Sequence, residues 1–293
     1  MRKKTESKIQ LKRKTRPKII IILGQTSTGK SDLAVKMARK IGGEVISADS
    51  RQIYRGLDIG SGKITKKEMR GVPHHLLDIA SPKRRFTAAQ YQILANKAIK
   101  GILTRGHTPI ICGGSGFYID TITKSTVFPE VSPDRKLRLE LAKKDAYKLF
   151  KILEKIDARR AKNIDPKNKV RIVRAIEIAK TLGKVPLPVK IAPKYEFIKI
   201  GLCLPAEKLK KRIEKRLLAR IKSGMVKEVR NLHTDGLSWR RLEELGLEYR
   251  YVAQYLQDKL TKDEMVEKLK TEIYRYAQRQ MQWFKKDKEI KWN

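Results

Sequence analysis

Residues 19–35 read IIIILGQTSTGKSDLAV, a stretch in which an apolar run leads into a glycine-bounded loop and then into LAV. The apolar run is rich in β-branched residues and predicts a buried strand, whereas the segment after the loop predicts a helix. Gly24, Gly29, Lys30 and Ser31 have the spacing of a phosphate-binding P-loop. A strand before the loop and a helix after it are the context this motif requires. A bare strand–turn–helix connection is the alternative, so the sequence favours a site for a phosphorylated ligand.

The residue types of this loop explain how phosphate would be held. Glycines let several backbone N–H groups point into one concavity, and the helix that follows adds the positive end of its dipole. Lys30 is predicted to supply a mobile cation, and the Ser31 hydroxyl is predicted to coordinate Mg²⁺. The predicted phosphate-binding residues are Gly24, Thr26, Ser27, Thr28, Gly29, Lys30 and Ser31.

Composition points to a polyanionic partner. The 293 residues include 69 Lys and Arg against 31 Asp and Glu, a net charge of +38, which favours a nucleic acid as the partner. A lysine-rich surface without a specific partner is the alternative. No apolar run is long enough to span a bilayer, and the N-terminus lacks the apolar segment of a secretory signal. The two cysteines indicate neither a disulfide framework nor a zinc site, so a cytoplasmic protein is expected.

Alternation of strands and helices predicts an α/β fold, a P-loop NTPase-like parallel sheet flanked by helices, with a helical insertion domain. Predicted strands cover residues 19–23, 44–47, 74–78, 109–112 and 197–204, with a short terminal strand at 289–292. Residues 19–131 and 195–293 are predicted to form the catalytic core with its C-terminal helices. Residues 132–194 are the predicted helical insertion, and residues 1–18 a basic arm that is disordered when free. Because ligands of such sheets lie outside the carboxyl ends of the strands, the P-loop, Asp49–Ser50 and Gly113–Gly116 should share one cleft.

Asp49 lies two residues after the second predicted strand, beside the P-loop. Position alone leaves three roles open, namely a carboxylate that organises Mg²⁺, a helix N-cap and a general base. The segment 50–54 that follows is unusually polar for a strand end and suits recognition of a heteroaromatic edge.

A basic helix is predicted over residues 208–222, with Arg212, Arg216 and Arg220 recurring every fourth position. These arginines form either a solvated helix face or a stripe that follows a phosphate backbone. Aromatic residues interleave with arginines between residues 249 and 284. Most of these aromatics are expected to pack between helices, and one or two could stack on bases.

These features together resemble the tRNA dimethylallyltransferase (tRNA isopentenyltransferase) family, and the resemblance runs from about Ile19 to Trp292. The matching segments are 24–31, 49–54 (DSRQIY), 56–63 (GLDIGSGK), 72–79 (VPHHLLDI), 113–118 (GGSGFY, against Gly-Gly-Thr-Gly-Leu-Tyr in the family), 165–166 with 171–177, 211–216, 222–225 and 277–280. The chain departs from the family at Glu248, where glycine is usual, and at Leu245, where some relatives carry an arginine that helps hold a diphosphate. Arg250 is retained, so Arg250 or Lys63 is predicted to be the substitute cation.

The resemblance implies transfer of a dimethylallyl group from dimethylallyl diphosphate to N6 of the adenosine on the 3′ side of a tRNA anticodon. Asp49 would act as the general base, and Lys30, Ser31, Arg250 and Mg²⁺ would stabilise the leaving diphosphate. The residues expected to contact the tRNA anticodon stem-loop are Asp49, Ser50, Arg51, Gln52, Ser115, Arg171, Arg174, Arg212 and Arg216. A monomer is expected. A P-loop small-molecule kinase that uses ATP is the main alternative, and a non-enzymatic nucleic-acid-binding NTPase is the third.

Overall fold

The computed structural model of the chain describes residues 16–187, 189 and 192–293. The chain forms two compact units, one made of the residues up to Ser125 together with Ala192–Asn293, and the other of Thr126–Ile191. Residues 1–15 of the basic arm predicted over residues 1–18 lie outside the described residues. The first strand already begins at Lys18.

The first unit is built on one six-stranded parallel sheet. Its strands are β1 (Lys18–Gly24), β2 (Gly43–Ser47), β3 (His74–His75), β4 (Thr108–Gly113), β5 (Glu196–Leu202) and β6 (Lys291–Trp292), in the order β3-β2-β4-β1-β5-β6. β1 lies in the middle and pairs in parallel with β4 on one edge and with β5 on the other. The predicted α/β fold with a parallel sheet is thereby confirmed.

Helices cover both faces of the sheet, which explains the unbroken apolar run of β1. Its side chains alternate between the two faces, so that Ile20 and Ile22 pack with α1 (Lys30–Ile41). Ile19, Ile21 and Leu23 pack on the opposite face, in the larger core. The other helices of this unit are α2 (Lys66–Met69), α3 (Ala88–Thr104), α4 (Gly116–Thr123), α9 (Ala206–Lys222), α10 (Met225–Thr234), α11 (Trp239–Glu244), α12 (Leu247–Leu256) and α13 (Lys262–Phe284).

The second unit, which covers most but not all of the predicted insertion, is helical. Its helices are α5 (Arg135–Ala142), α6 (Ala146–Ile156), α7 (Ala158–Ala161) and α8 (Lys169–Leu182). They enclose a separate small core that includes Leu141, Leu149 and Ile176. Within that core Glu177 is 1% exposed, and its carboxylate accepts hydrogen bonds from the Arg138 guanidinium at 2.6 and 2.7 Å.

Two local features differ from the sequence predictions. The strand predicted over residues 74–78 is only two residues long, because Leu76 and Asp78 adopt positive φ angles of 63° and 55°, which no β-strand tolerates. Helix α2 was not predicted. It is a single turn that begins with a capping box between Thr65 and Glu68. Among the described residues, no helix combines the length and the apolar character needed to cross a bilayer.

A buried carboxylate near the start of β2 bonds to three side chains from other parts of the first unit. Glu44 on β2 is 3% exposed, and the Arg105 guanidinium donates to it at 2.7 and 3.0 Å. The rings of His75 and His107 lie 2.6 and 2.7 Å from its oxygens. The hydrogen bonds from Arg105 are the main reason why the pKa of Glu44 falls to about 2, and burial opposes them.

We expect Glu44→Gln to lower the free energy of unfolding at pH 7 by on the order of 2 kcal/mol, because one pKa unit corresponds to about 1.4 kcal/mol and half-exposed partners are screened by water. The folded-state pKa of Glu44 lies below its ordinary value of 4.5. Its contribution is therefore complete above that value and is lost as the pH falls towards about 2. Urea unfolding of both proteins between pH 7 and pH 3 checks this.

The exposed Glu207, which pairs with Lys210 at 3.0 Å on the surface, supplies the control. Glu207→Gln should change the free energy of unfolding by less than about 0.5 kcal/mol. A Glu44→Gln deficit that stays constant as the pH falls would contradict the assigned pKa shift.

Candidate active site

The P-loop bridges the end of β1 and the start of α1. Gly24 has a φ of 132° and lies so close to β5 that an added Cβ would come within 2.2 Å of the Leu202 carbonyl oxygen. Gly29 has a φ of 97°. Since both conformations are costly for other residues, these two glycines permit the turn that brings residues 24–31 over the edge of the sheet.

Lys30 folds back over this loop. Its Nζ donates to the Gln25 carbonyl oxygen at 2.5 Å, and the Thr28 hydroxyl donates to the same oxygen at 2.8 Å. Burial lowers the pKa of Lys30 to about 8, while the nearby Asp49 carboxylate raises it. An anion in the loop would further stabilise the charged form of the lysine, since an opposite charge favours ionisation. Ser31, the next residue, is exposed in the first turn of α1.

Gln280 on α13 joins the P-loop to the loop that follows β4. Its Oε1 accepts the backbone N–H of Thr26 at 2.7 Å, and its Nε2 donates to the Gly114 carbonyl oxygen at 2.9 Å. The Gln25 side chain adds a bond of 3.2 Å to the Ala277 carbonyl oxygen on the same helix. Gln280 is 6% exposed, so both of its bonds are shielded from water. The last long helix therefore fixes the relative positions of the two loops.

Asp49 lies in the same cleft, as the order of the strands predicts. Its Oδ1 accepts the backbone N–H of Arg51 at 2.8 Å, which is an Asx turn. The following helix, α2, begins only at Lys66, so the structure removes the N-cap from the three roles considered for Asp49. The Ser50 N–H donates to the Ser115 hydroxyl at 3.0 Å, which joins the Asp49 segment to the loop after β4.

The predicted recognition segment, residues 50–54, is hydrogen-bonded to a second loop that includes residues 58–62. The Gln52 side chain donates to the Gly62 carbonyl oxygen at 3.2 Å. Glu228 on α10 accepts backbone N–H groups of residues 58–60 at 2.6 to 3.1 Å. The Tyr249 hydroxyl donates to Glu228 at 2.9 Å and accepts the Ser61 N–H at 3.1 Å. Neither Glu228 nor Tyr249 was predicted to support the site, because their partners are distant in the sequence.

The arginine stripe of α9 lies against the P-loop. The Arg216 Nη1 is 3.3 Å from the Ser27 hydroxyl oxygen, and a Cβ added at Gly29 would lie 3.7 Å from the Arg212 Nη2. Desolvation, together with the neighbouring Arg220 and Arg212, lowers the pKa of Arg216 to about 10. Part of the Arg216 side chain is nevertheless solvent-exposed, and the guanidinium remains charged at neutral pH. The stripe therefore places positive charge beside the P-loop.

Arg220 is the third member of the stripe and has a partner of its own. Its Nη1 lies 3.3 Å from the Glu248 carboxylate and 3.4 Å from the Gly60 carbonyl oxygen. Glu248 is the residue that departs from the family pattern. Its pKa is raised by burial, against the opposing effect of Arg220. The departure therefore places a carboxylate beside the arginines.

The two cations predicted to replace the missing arginine both have other partners. Arg250 is exposed on α12, and its Nε donates to the Glu243 carbonyl oxygen at 3.2 Å. The Lys63 side chain is 6% exposed and pairs with Asp58 at 2.6 Å and with Asp78. Leu245 itself is fully buried in the core. None of these three contacts joins Arg250 or Lys63 to the P-loop, whereas Arg216 contacts the Ser27 hydroxyl.

The two arginines expected to contact tRNA from the insertion differ in their surroundings. Arg174 is committed within the second unit, because its guanidinium donates to Glu177 at 3.2 Å and to the Val131 carbonyl oxygen at 2.8 Å. Arg171 is exposed in the first turn of α8. Their roles stay predictions, and Arg171 is the more available of the two.

Comparison with known proteins connects this geometry to a family. A model of the IPP transferase family matches residues 52–287. A protein of Treponema denticola named tRNA dimethylallyltransferase 2 is 42% identical over 272 residues, 91% of this chain and 91% of that protein. The tRNA dimethylallyltransferase of Pelotomaculum thermopropionicum is 40% identical over 94% of this chain and 90% of its own length.

Solved structures agree with the sequence relatives. The full-length tRNA isopentenylpyrophosphate transferase of Bacillus halodurans superposes with a TM-score of 0.72 at 34% identity, covering 95% of this chain and 90% of that one. A eukaryotic dimethylallyltransferase acting on tRNA gives a TM-score of 0.77 at 25% identity, over 92% of this chain and 70% of that one. With a P-loop, an aspartate and a set of arginines in one cleft, and with these relatives along almost its whole length, the chain belongs to the IPP transferase family.

Proposed function

We propose that this protein transfers a dimethylallyl group from dimethylallyl diphosphate to N6 of the adenosine on the 3′ side of a tRNA anticodon. The observation that carries the proposal is the placement of Asp49 beside a cationic P-loop, where Asp49 is an electrostatic neighbour of Lys30. One cleft can then hold the leaving group, and the Asp49 carboxylate in it can accept a proton from the attacking amine. The kinase alternative is not favoured, because the relatives along the chain are tRNA dimethylallyltransferases.

The leaving group sets the first chemical requirement. An exocyclic adenine amine is a weak nucleophile because its lone pair is delocalised, so the allylic carbon must carry positive charge as the diphosphate departs. Lys30, Arg216 and backbone N–H groups of the P-loop would stabilise the negative charge that develops on the departing oxygens. The Thr26 N–H, predicted as part of this set, already donates to Gln280. The contacts of Arg216 favour it over Arg250 as the additional cation on the diphosphate.

The nucleophile sets the second requirement. The Asx turn orients the Asp49 carboxylate, which would hydrogen-bond the amine and take its proton as the C–N bond forms. The Ser115 hydroxyl and residues 50–52 would line the pocket for the base. Because the target base must leave its stack, an unpaired anticodon loop lowers the cost of extrusion.

Magnesium fits this site as a partner of the substrate. The described residues contain no group of three His, Cys, Asp or Glu side chains that could hold a metal by themselves. Mg²⁺ commonly binds through one or two protein oxygens together with substrate phosphates and water. The exposed Ser31 hydroxyl would hold it, and the ion would help to neutralise the leaving diphosphate.

The net charge of +38 supports tRNA as the second substrate. Arg171 on α8 is exposed and would contact the backbone of the anticodon stem-loop. The Arg174 side chain would instead support the second unit through Glu177. With tRNA as substrate, we infer a cytoplasmic enzyme, and the monomer expected from the sequence stays a prediction.

The direct test is incubation of the protein with Mg²⁺, dimethylallyl diphosphate and bulk tRNA, followed by mass analysis of the digested nucleosides. We expect adenosine that carries one dimethylallyl group, without consumption of ATP. In the matching arm with ATP and no dimethylallyl diphosphate, tRNA should stay unmodified. Release of ADP without any mass gain on tRNA would instead support the kinase.

Asp49→Asn should lower the single-turnover rate by about 10²- to 10⁴-fold, the usual contribution of a positioned base, while tRNA affinity stays nearly unchanged. Rapid-quench measurement of the rate and filter binding of tRNA separate the two effects. The exposed Asp235 at the end of α10 supplies a control, since Asp235→Asn removes the same charge far from the P-loop in sequence. Near-normal turnover of Asp49→Asn would refute the general-base role.

Arg216→Ala should weaken binding of inorganic pyrophosphate by roughly 10- to 100-fold, the range expected for a hydrogen bond to a charged group. Isothermal titration calorimetry at fixed salt measures this directly. Lys215→Ala removes a charge from an exposed position of the same helix and should have little effect, as should Arg250→Ala. A larger loss from Arg250→Ala than from Arg216→Ala would return the role to Arg250.

A further inference from the structure

Two aromatic side chains lie exposed at the edge of the candidate site. Phe117, near the start of α4, is 50% exposed, and Trp283, in the last turn of α13, is 37% exposed. Their ring centroids are 6.5 Å apart and the ring planes meet at 72°. Single exposed apolar residues are common on protein surfaces, but a pair of adjacent rings beside a proposed base pocket is a specific arrangement.

The pair is continuous with the wall of the cleft. Phe117 lies two residues after Ser115, whose hydroxyl accepts the Ser50 N–H. Trp283 lies one turn after Gln280, which is bonded to the Gly114 carbonyl oxygen. The Trp283 indole also packs directly on Gly116, the first residue of α4, because a Cβ added at Gly116 would come within 2.4 Å of the indole Cδ1.

The pair is also held firmly. Tyr118 and Phe284, the residues that follow the two rings, are 7% and 3% exposed and belong to the main core. The exposed rings are thus attached to backbone that cannot shift without disturbing the core. A rigid aromatic surface loses little conformational entropy when a flat ligand stacks on it.

The charge around the pair favours a nucleic acid over an apolar peptide. Arg279 lies one turn before Trp283 on α13 and Lys286 three residues after it, and both are exposed. Aromatic rings that alternate with cations are the combination by which proteins bind unpaired bases together with their phosphates. An apolar peptide would gain no binding free energy from the two cations.

We propose that Phe117 and Trp283 form a stacking platform for an unpaired base of the anticodon loop, adjacent to the base that enters the cleft. This rests on the proposed function. Removal of the target base from the loop deprives its neighbours of a stacking partner, and the exposed rings replace that partner. The platform therefore binds the loop in its opened form.

Tryptophan fluorescence can test the platform, since the chain has only three tryptophans. Titration of the protein with an anticodon stem-loop RNA should quench the emission of Trp283. Trp283→Leu should remove most of the quenching and weaken RNA binding by about 5- to 50-fold, within the range known for base stacking. Trp239, which is stacked on His233 at 3.6 Å, supplies the control, and Trp239→Phe should retain the quenching.

Two further variants separate stacking from folding. Trp283→Phe should restore most of the RNA affinity without restoring the fluorescence signal, because phenylalanine also stacks. Phe117→Ala should weaken binding, whereas Phe117→Leu, the residue type of the family, should weaken it less. Thermal unfolding of each variant shows whether the fold is retained.

An RNA with an abasic site in place of the stacked base completes the test. The wild-type protein should bind this RNA as weakly as Trp283→Leu binds the intact RNA, and the two losses should not add. Full quenching in Trp283→Leu, or fully additive losses at every loop position, would overturn the platform. Failure of the proposed function would appear separately, as absence of dimethylallyl transfer by the wild-type protein.

Discussion

The central position of β1 is the constraint on which the site depends. β1 is hydrogen-bonded along both edges, to β4 and to β5, so its carboxyl end cannot move sideways. The chain must leave the sheet at Gly24, where the Leu202 carbonyl leaves no room for a Cβ. Because the neighbouring strands run in the same direction, their ends deliver Asp49 and the Gly113–Gly116 loop to the same edge.

Burial and mutual repulsion disfavour the charged forms of two cations in the cleft. Lys30 and Arg216 both have pKa values below their ordinary values, the former mainly through burial and the latter through burial and the adjacent arginines. Glu248 reduces the repulsion among the α9 arginines by pairing with Arg220 at 3.3 Å. A diphosphate in the P-loop would relieve the rest, so part of its binding free energy comes from removing an unfavourable interaction in the protein.

Much of this arrangement could be predicted from local sequence, and the remainder could not for a definable reason. The P-loop, the parallel sheet and the placement of Asp49 follow from motifs within short segments and from the geometry of parallel strands. The direction of the α9 arginines does not, because the rotation of that helix is set by packing of Leu209, Ile213 and Leu217 in the core. Periodicity identified the stripe but could not show that it faces the P-loop.

The bond between Thr26 and Gln280 has a consequence for how the protein is made. The two residues are 254 positions apart, so the P-loop leaves the ribosome long before the side chain that fixes it has been synthesised. The nascent chain therefore has its phosphate-binding motif early but lacks an ordered cleft until α13 has docked. An incomplete chain, released before that helix is made, carries the motif without a formed site in which to use it.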